Sequence, residues 1–198
     1  SFNYDAHMLL FKNKYFFIIE STRDIDLKNI KNSKKFCIIY RSKKIAENTE
    51  KLMKFRKNCK SKNIDFYVSN NIKLGNTLKA DGIYISAHNK NLNISYLKNY
   101  KFKVVGSAHN IKEINVKKLQ GCSSIIISRL FETSYKYKKG FLGVVRFNLL
   151  SLSRQENLIP LGGIRLSNLN KLNTVKCNSI ALSSEIIKKT VIFSKLCF

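Results

Sequence analysis

No apolar stretch in the 198 residues approaches the roughly 20 that a helix needs to cross a bilayer, and the N-terminal region lacks a secretory signal pattern. The chain is therefore expected to be soluble and cytoplasmic, with no membrane partner. Its cysteines, Cys37, Cys59, Cys122, Cys177 and Cys197, are odd in number and never form a CxxC pair. This argues against a disulfide framework or a zinc cluster and predicts reduced, mostly buried thiols. His7, His88 and His109 are equally scattered.

Acidic residues are scarce too, 12 against 37 basic ones, for a formal charge of +25. Such a balance raises nucleic acid as a partner. Yet 30 of the basic residues are Lys, spread along the whole chain among many Asn and Ile, a set favoured by AT-rich codons. No zinc finger, RNP motif or Arg stripe with stacked aromatics is present. The charge is read as attraction for a small polyanionic substrate, and no nucleic-acid partner is expected. An apolar content of 44% over this length suits one sizeable core, so residues 1–198 are expected to form a single domain.

What the chain does contain is a series of short β-rich runs: YFFIIE (15–20), KFCIIY (35–40), IDFYV (64–68), GIYIS (82–86), KFKVVG (101–106), SSIIIS (123–128), LIPL (158–161) and SIALS (179–183). Helical patterns lie between them. Over 43–60, Ile45, Leu52, Phe55 and Cys59 share a face. Asn110 precedes Ile111, Ile114 and Leu119, and Ser183-Ser184-Glu185 precedes Ile186 and Ile187, each a capping side chain before an apolar pattern. Eight nearly continuous apolar strands alternating with helices predict an α/β fold, a single (β/α)8 TIM barrel at the short limit of its size range. A doubly wound open sheet is the alternative.

In such a barrel LGGI (161–164), just after the only proline, ends the seventh strand at the C-terminal rim, where a helix is expected to follow. Adjacent glycines there let backbone N–H groups approach an anion, and Ser183 and Ser184 stand one strand later before a helix start. The two turns together predict a phosphate cup. The competing explanation is that the glycines relieve crowding in a turn.

The segments IIYRSKK (38–44), LKADGIYIS (78–86), VVGSAHNIKEI (104–114), LFETSYK (130–136) and LGGI (161–164) are similar, in order and spacing, to the thiamin phosphate synthase and aminothiazole tautomerase superfamily. The resemblance runs from the first strand to the end of the eighth. It implies a TIM barrel active in thiamin biosynthesis, taking small phosphorylated pyrimidine and thiazole substrates; a homo-oligomer is compatible with it. An aminopyrimidine diphosphate loses pyrophosphate, and a thiazole phosphate nitrogen captures the resulting cation. Matched to the family motifs, Arg41, Lys43, Ser107 and Lys136 would hold the diphosphate, and Arg41, Lys43, Lys136 and His109 would be the catalytic set. Thr133, Gly162, Gly163 and Ser184 would bind the thiazole phosphate.

Departures from the family pattern concern the metal. The resemblance implies Mg²⁺ held by aspartates after strands three and four, where this chain has YVSNN and SAHN, leaving Asn70 and Asn89 as degenerate positions. A pyrimidine-contacting glutamine is replaced by Ile39, and Glu132 and Tyr135 replace Pro and Thr in the strand-six loop. Three readings follow. One is a diverged synthase in which Lys and Arg, or Mg²⁺ carried by the diphosphate, replace the lost site. Another is a metal-free tautomerase with His109 as proton shuttle, although that imidazole equally suits a helix cap. The last is a non-catalytic binder of thiazole or pyrimidine phosphates.

Overall fold

The computed structural model describes residues 12–30, 33–43, 45–94, 101–133 and 140–183. Eight parallel strands close into a barrel in chain order: β1 (Lys14–Ile19), β2 (Phe36–Tyr40), β3 (Asp65–Ser69), β4 (Gly82–Ile85), β5 (Lys103–Ala108), β6 (Ser124–Ser128), β7 (Asn157–Leu161) and β8 (Ser179–Ser183). β8 pairs with β1, Tyr15 opposite Ile180, which closes the sheet and leaves no edge. The strands match the predicted runs, and the open-sheet alternative is excluded.

Alternation along each strand sorts the apolar residues into two cores. Phe16, Ile18, Cys37, Ile39, Tyr67, Tyr84, Val105, Ile126, Ile159 and Ala181 fill the barrel interior. Their neighbours, among them Phe17, Ile38, Phe66, Ile83, Val104, Ile127, Leu158 and Leu182, belong to the outer core shared with the helices. Burial on both faces is why the strands read as continuous apolar runs rather than alternating ones. Ile39, where the resemblance has a pyrimidine contact, is part of the buried apolar interior.

Four helices lie among the described residues: α1 (Thr49–Ser61), α2 (Ile72–Thr77), α3 (Ile111–Leu119) and α4 (Gly143–Leu152). α1 begins later than the sequence pattern suggests. Asn48 caps it by accepting from the Glu50 N–H at 2.8 Å, and the preceding residues form a loop in which Ile45 is 88% exposed instead of joining Leu52, Phe55 and Cys59 in the core. α3 starts where Asn110 places it, with the Glu113 N–H donating to Asn110 Oδ1 at 2.9 Å. Ile114 is buried there, but Ile111 and Leu119 are 53% and 65% exposed, because the helix turns Lys117 toward the sheet. After β7 the chain forms a 3-10 helix, Leu166–Thr174, rather than an α-helix. The second capping pattern extends past Ser183 into 184–187, outside the described residues.

Cys37, Cys59 and Cys122 are buried and form no disulfide, and Cys177 is half-buried; burial pushes the Cys59 thiol up to about 12. Cys197 lies outside the described residues. No described helix is long and apolar enough to cross a membrane. At the N-terminal end of the barrel Asp65 pairs with Lys14 and Lys103, and Asp81 accepts from Arg56 at 2.9 Å. These carboxylates belong to the end opposite the candidate site.

Candidate active site at the C-terminal mouth of the barrel

Continuing the inward alternation by two residues past Tyr67, Tyr84, Val105, Ile126 and Ala181 leads to Ser69, Ser86, Ser107, Ser128 and Ser183. Five strands thus lead to a hydroxyl at the mouth, above an apolar interior. On β1 and β2 the same step leads to Glu20 and Arg41. These serines were not singled out in the sequence as a set. Their signal is the period-2 step beyond the last buried apolar residue of each strand.

Arg41 and Lys43 reach the mouth on the loop after β2. They border a cleft of about 510 Å³ that Ser69, Asn70, Ser86 and His88 also line. The Arg41 N–H extends the β1 ladder by donating to Ile19 O at 2.8 Å, while Lys43, 76% exposed, pairs with Glu20 at 2.9 Å. Glu47 anchors the loop. It accepts from the Thr22 N–H at 2.7 Å and from the Ser21 and Thr22 hydroxyls at 3.1 Å, pairs with Lys51, and donates its own N–H to Tyr40 Oη at 2.8 Å. Burial alone would raise the Glu47 pKa, but the bonds from Lys51, Thr22 and Ser21 outweigh it and hold the carboxyl below its ordinary value. Its partners other than Lys51 come from distant segments or from Tyr40, so no local pattern reveals it.

Asn70 and Asn89, the degenerate metal positions, are brought together. Asn89 Nδ2 donates to Asn70 Oδ1 at 3.2 Å. Asn70 Oδ1 also accepts from the Ser86 N–H at 3.1 Å, Asn70 Nδ2 donates to Ser86 Oγ at 3.0 Å, and Asn89 Oδ1 accepts from the Asn91 N–H at 3.1 Å. Asn70 adopts φ +56°, a left-handed conformation that Asn tolerates better than most residues. Both carboxamide oxygens are therefore committed to protein donors, and neither carries the negative charge that Mg²⁺ prefers. Among the described residues no three His, Cys, Asp or Glu side chains converge as a metal cluster. The donor set does not fit Mg²⁺.

Beside this pair, the His88 and His109 rings face one another at 6.4 Å. His109 Nδ1 lies 3.0 Å from Glu113 Oε2, which also accepts the His109 backbone N–H at 2.7 Å. Burial opposes ionisation of Glu113, but the two His109 contacts and Asn110 outweigh it and lower its pKa. The helix cap is Asn110, not His109, so the imidazole is oriented at the rim rather than used as a cap. Ser107 is buried at the end of β5 next to it.

The β6 and β7 turns meet at the other side of the mouth. Gly162 and Gly163 adopt φ +101° and +70°, and a Cβ on Gly163 would stand 2.3 Å from Phe131 O. Close packing of two turns thus requires Gly163, so crowding is part of the answer. It does not exhaust it, because no described residue accepts a hydrogen bond from the N–H of Gly162 or Gly163. The register of Leu161 opposite Ala181 puts Gly163 level with Ser183. Thr133 accepts from Arg129 Nη1 at 2.8 Å, and the Arg129 side chain packs on Gly162, with Cγ 3.1 Å from where a Cβ would be. Arg129 was not singled out in the sequence, since it stands where a strand ends in an already basic chain. Lys136 and Ser184, expected on this side, lie outside the described residues. Glu132 contributes its carbonyl, 3.5 Å from Arg165 Nη2.

Comparison with known proteins adds an independent line. The family described as thiamine monophosphate synthase matches residues 26–186. A thiamine-phosphate synthase of Pelagibacter ubique is 26% identical over 166 residues, 81% of this chain and 80% of that protein. One from Prochlorococcus marinus is 26% identical over 130 residues, 65% of this chain and only 38% of the relative. The match thus spans less than half of the Prochlorococcus protein. In structure, a thiamine phosphate pyrophosphorylase from Pyrococcus furiosus superimposes with a TM-score of 0.72 at 15% identity, covering 95% of both chains, a likeness of fold.

Proposed function

Because the chain belongs to the thiamine monophosphate synthase family, we propose that it joins an aminopyrimidine diphosphate to a thiazole phosphate with release of pyrophosphate, and does so without a protein-bound metal. The observation that carries this reading is the convergence of Arg41, Lys43, Asn70, Ser86 and His88 on one cleft at the C-terminal mouth. Arg41 and Lys43 neutralise the diphosphate, Lys43 exchanging its pair with Glu20 for the substrate. Ser107 and Lys136 complete the anion contacts. As the methylene C–O bond breaks, its electron pair leaves with pyrophosphate. The thiazole nitrogen then donates its lone pair to the methylene carbon, forming the C–N bond and a thiazolium. No proton moves in the bond exchange, so positioning and fixed positive charge carry the rate. Thr133, Gly162, Gly163 and Ser184 hold the thiazole phosphate. Residues 1–198 act as one barrel domain.

The test is thiamin phosphate formation by purified protein from the two substrates across a Mg²⁺ titration that begins in EDTA. Turnover that persists in EDTA and is lost in Arg41→Ala is the expected result. Folded protein with no turnover at any Mg²⁺ concentration overturns the reading.

A specific observation favours a second reading, metal-free aminothiazole tautomerisation: the His109 imidazole is held through Nδ1 by Glu113 at the rim, which leaves Nε2 to exchange a proton. Isomerisation of an aminothiazole phosphate that disappears in His109→Gln, with no coupling to pyrimidine diphosphate, would select it.

A further inference from the structure

Lys117 lies in the second turn of α3, fully buried between helix and sheet. Its ammonium donates to Asn89 O at 2.6 Å and to Gln120 Oε1 at 2.7 Å. Gln120, equally buried, donates from Nε2 to the same Asn89 O at 2.9 Å and to Asn91 O at 2.9 Å. One loop carbonyl thus receives two hydrogen bonds from beneath the mouth. The lysine stem passes β5 at Gly106, where a Cβ would stand 2.7 Å from Lys117 Cδ and 2.8 Å from Cys122 Sγ. No described carboxylate forms an ion pair with Lys117.

An ammonium buried among neutral acceptors is unfavourable beside an apolar side chain of the same length, which would fill this interface without desolvating a charge. Packing of α3 on the sheet therefore does not explain the lysine. Its contacts lead to the loop after β4. Asn89, whose carbonyl is held from below, reaches Asn70 with its side chain at 3.2 Å, and His88, one residue earlier, faces His109 at 6.4 Å.

We propose that Lys117, together with Gln120, is a positioning residue for the candidate site: it holds the loop after β4 so that Asn89 locks against Asn70 and His88 borders the anion cleft. The consequence for ligand binding rests on the transferase reading, in which that cleft receives a diphosphate. The clamp itself does not.

The experiment compares wild type with Lys117→Met, which keeps the length and removes the charge, and Gln120→Met, which removes the other pair of donors. Ile114→Val at the same interface serves as the packing control. Inorganic pyrophosphate binding by calorimetry, thermal melts, and the ring resonances of His88 and His109 by NMR are read for each. The expected result for both Met variants is a shift or broadening of the His88 resonance and pyrophosphate binding weakened about tenfold or more, with a melting temperature near or above wild type in Lys117→Met. Ile114→Val should leave the resonances and affinity unchanged. Folded Met variants with wild-type His88 and His109 resonances overturn the proposal, and a lowered melting temperature with those resonances intact does so in favour of plain packing. If Lys117→Met does not fold, Gln120→Met decides by the same criteria. Wild-type protein that binds no pyrophosphate counts against the transferase reading, while the histidine resonances still decide the clamp.

Discussion

At the residue scale, Asn70 and Asn89 replace the charge expected of a metal pair with a neutral hydrogen bond. Two carboxylates at the same separation repel unless a cation lies between them, whereas two carboxamides offer each other a donor and an acceptor. The double variant Asn70→Asp with Asn89→Asp is therefore expected to melt below wild type in EDTA and to recover with millimolar Mg²⁺, while wild type does not respond. Thermal melts with and without Mg²⁺ check this, and equal behaviour of the two proteins would mean that the residues do not share a site. The positions were legible from the motif alignment with YVSNN and SAHN, but their bond was not. It joins side chains from two different strand ends and depends on Asn70 adopting a positive φ. Arg129 and Lys117 escaped notice for a related reason: in a chain with 37 basic residues, a cation stands out only through what it touches.

The elements themselves were readable because a strand buried on both faces leaves a continuous apolar run, and Asn110 marks a helix start by local hydrogen bonding. Apart from the 3-10 helix that follows β7, the error fell on α1, whose apolar spacing extends back to Ile45 while the chain is drawn into a loop by Glu47. That loop carries Arg41 and Lys43, so its anchoring bears on the site. Because the folded pKa of Glu47 is depressed, its contribution to stability is present above its unfolded value, about 4.3, and is lost as pH falls through the folded value. Glu47→Gln is expected to melt below wild type at neutral pH, with the gap closing below about pH 4. Melting curves from pH 7 to pH 3 measure it; a gap independent of pH would assign the effect to lost packing.

At the scale of the whole molecule, a charge of +25 raises the local concentration of any small polyanion around the barrel. Pyrophosphate affinity should therefore fall several-fold as salt is raised from about 50 to about 300 mM, following the shorter screening length. The affinity of a neutral aminopyrimidine should change little. Calorimetry at stepped ionic strength distinguishes the two, and a salt-insensitive pyrophosphate affinity would assign binding to short-range contacts alone.

The sequence by itself determined the eight strands, the barrel they close and the strand ends that carry Arg41, Lys43, His109 and the paired glycines. Those properties follow from local periodicity, from capping and from the motif resemblance, all legible along a single line of residues. Only the tertiary structure decided that Asn70 bonds Asn89, that Gly163 is pressed against Phe131 and that Lys117 supports the loop after β4. The physical reason is closure. Parallel strands with helical crossovers bring together residues that are far apart in the chain, and the identity of a partner across such a gap leaves no trace in the spacing of either residue.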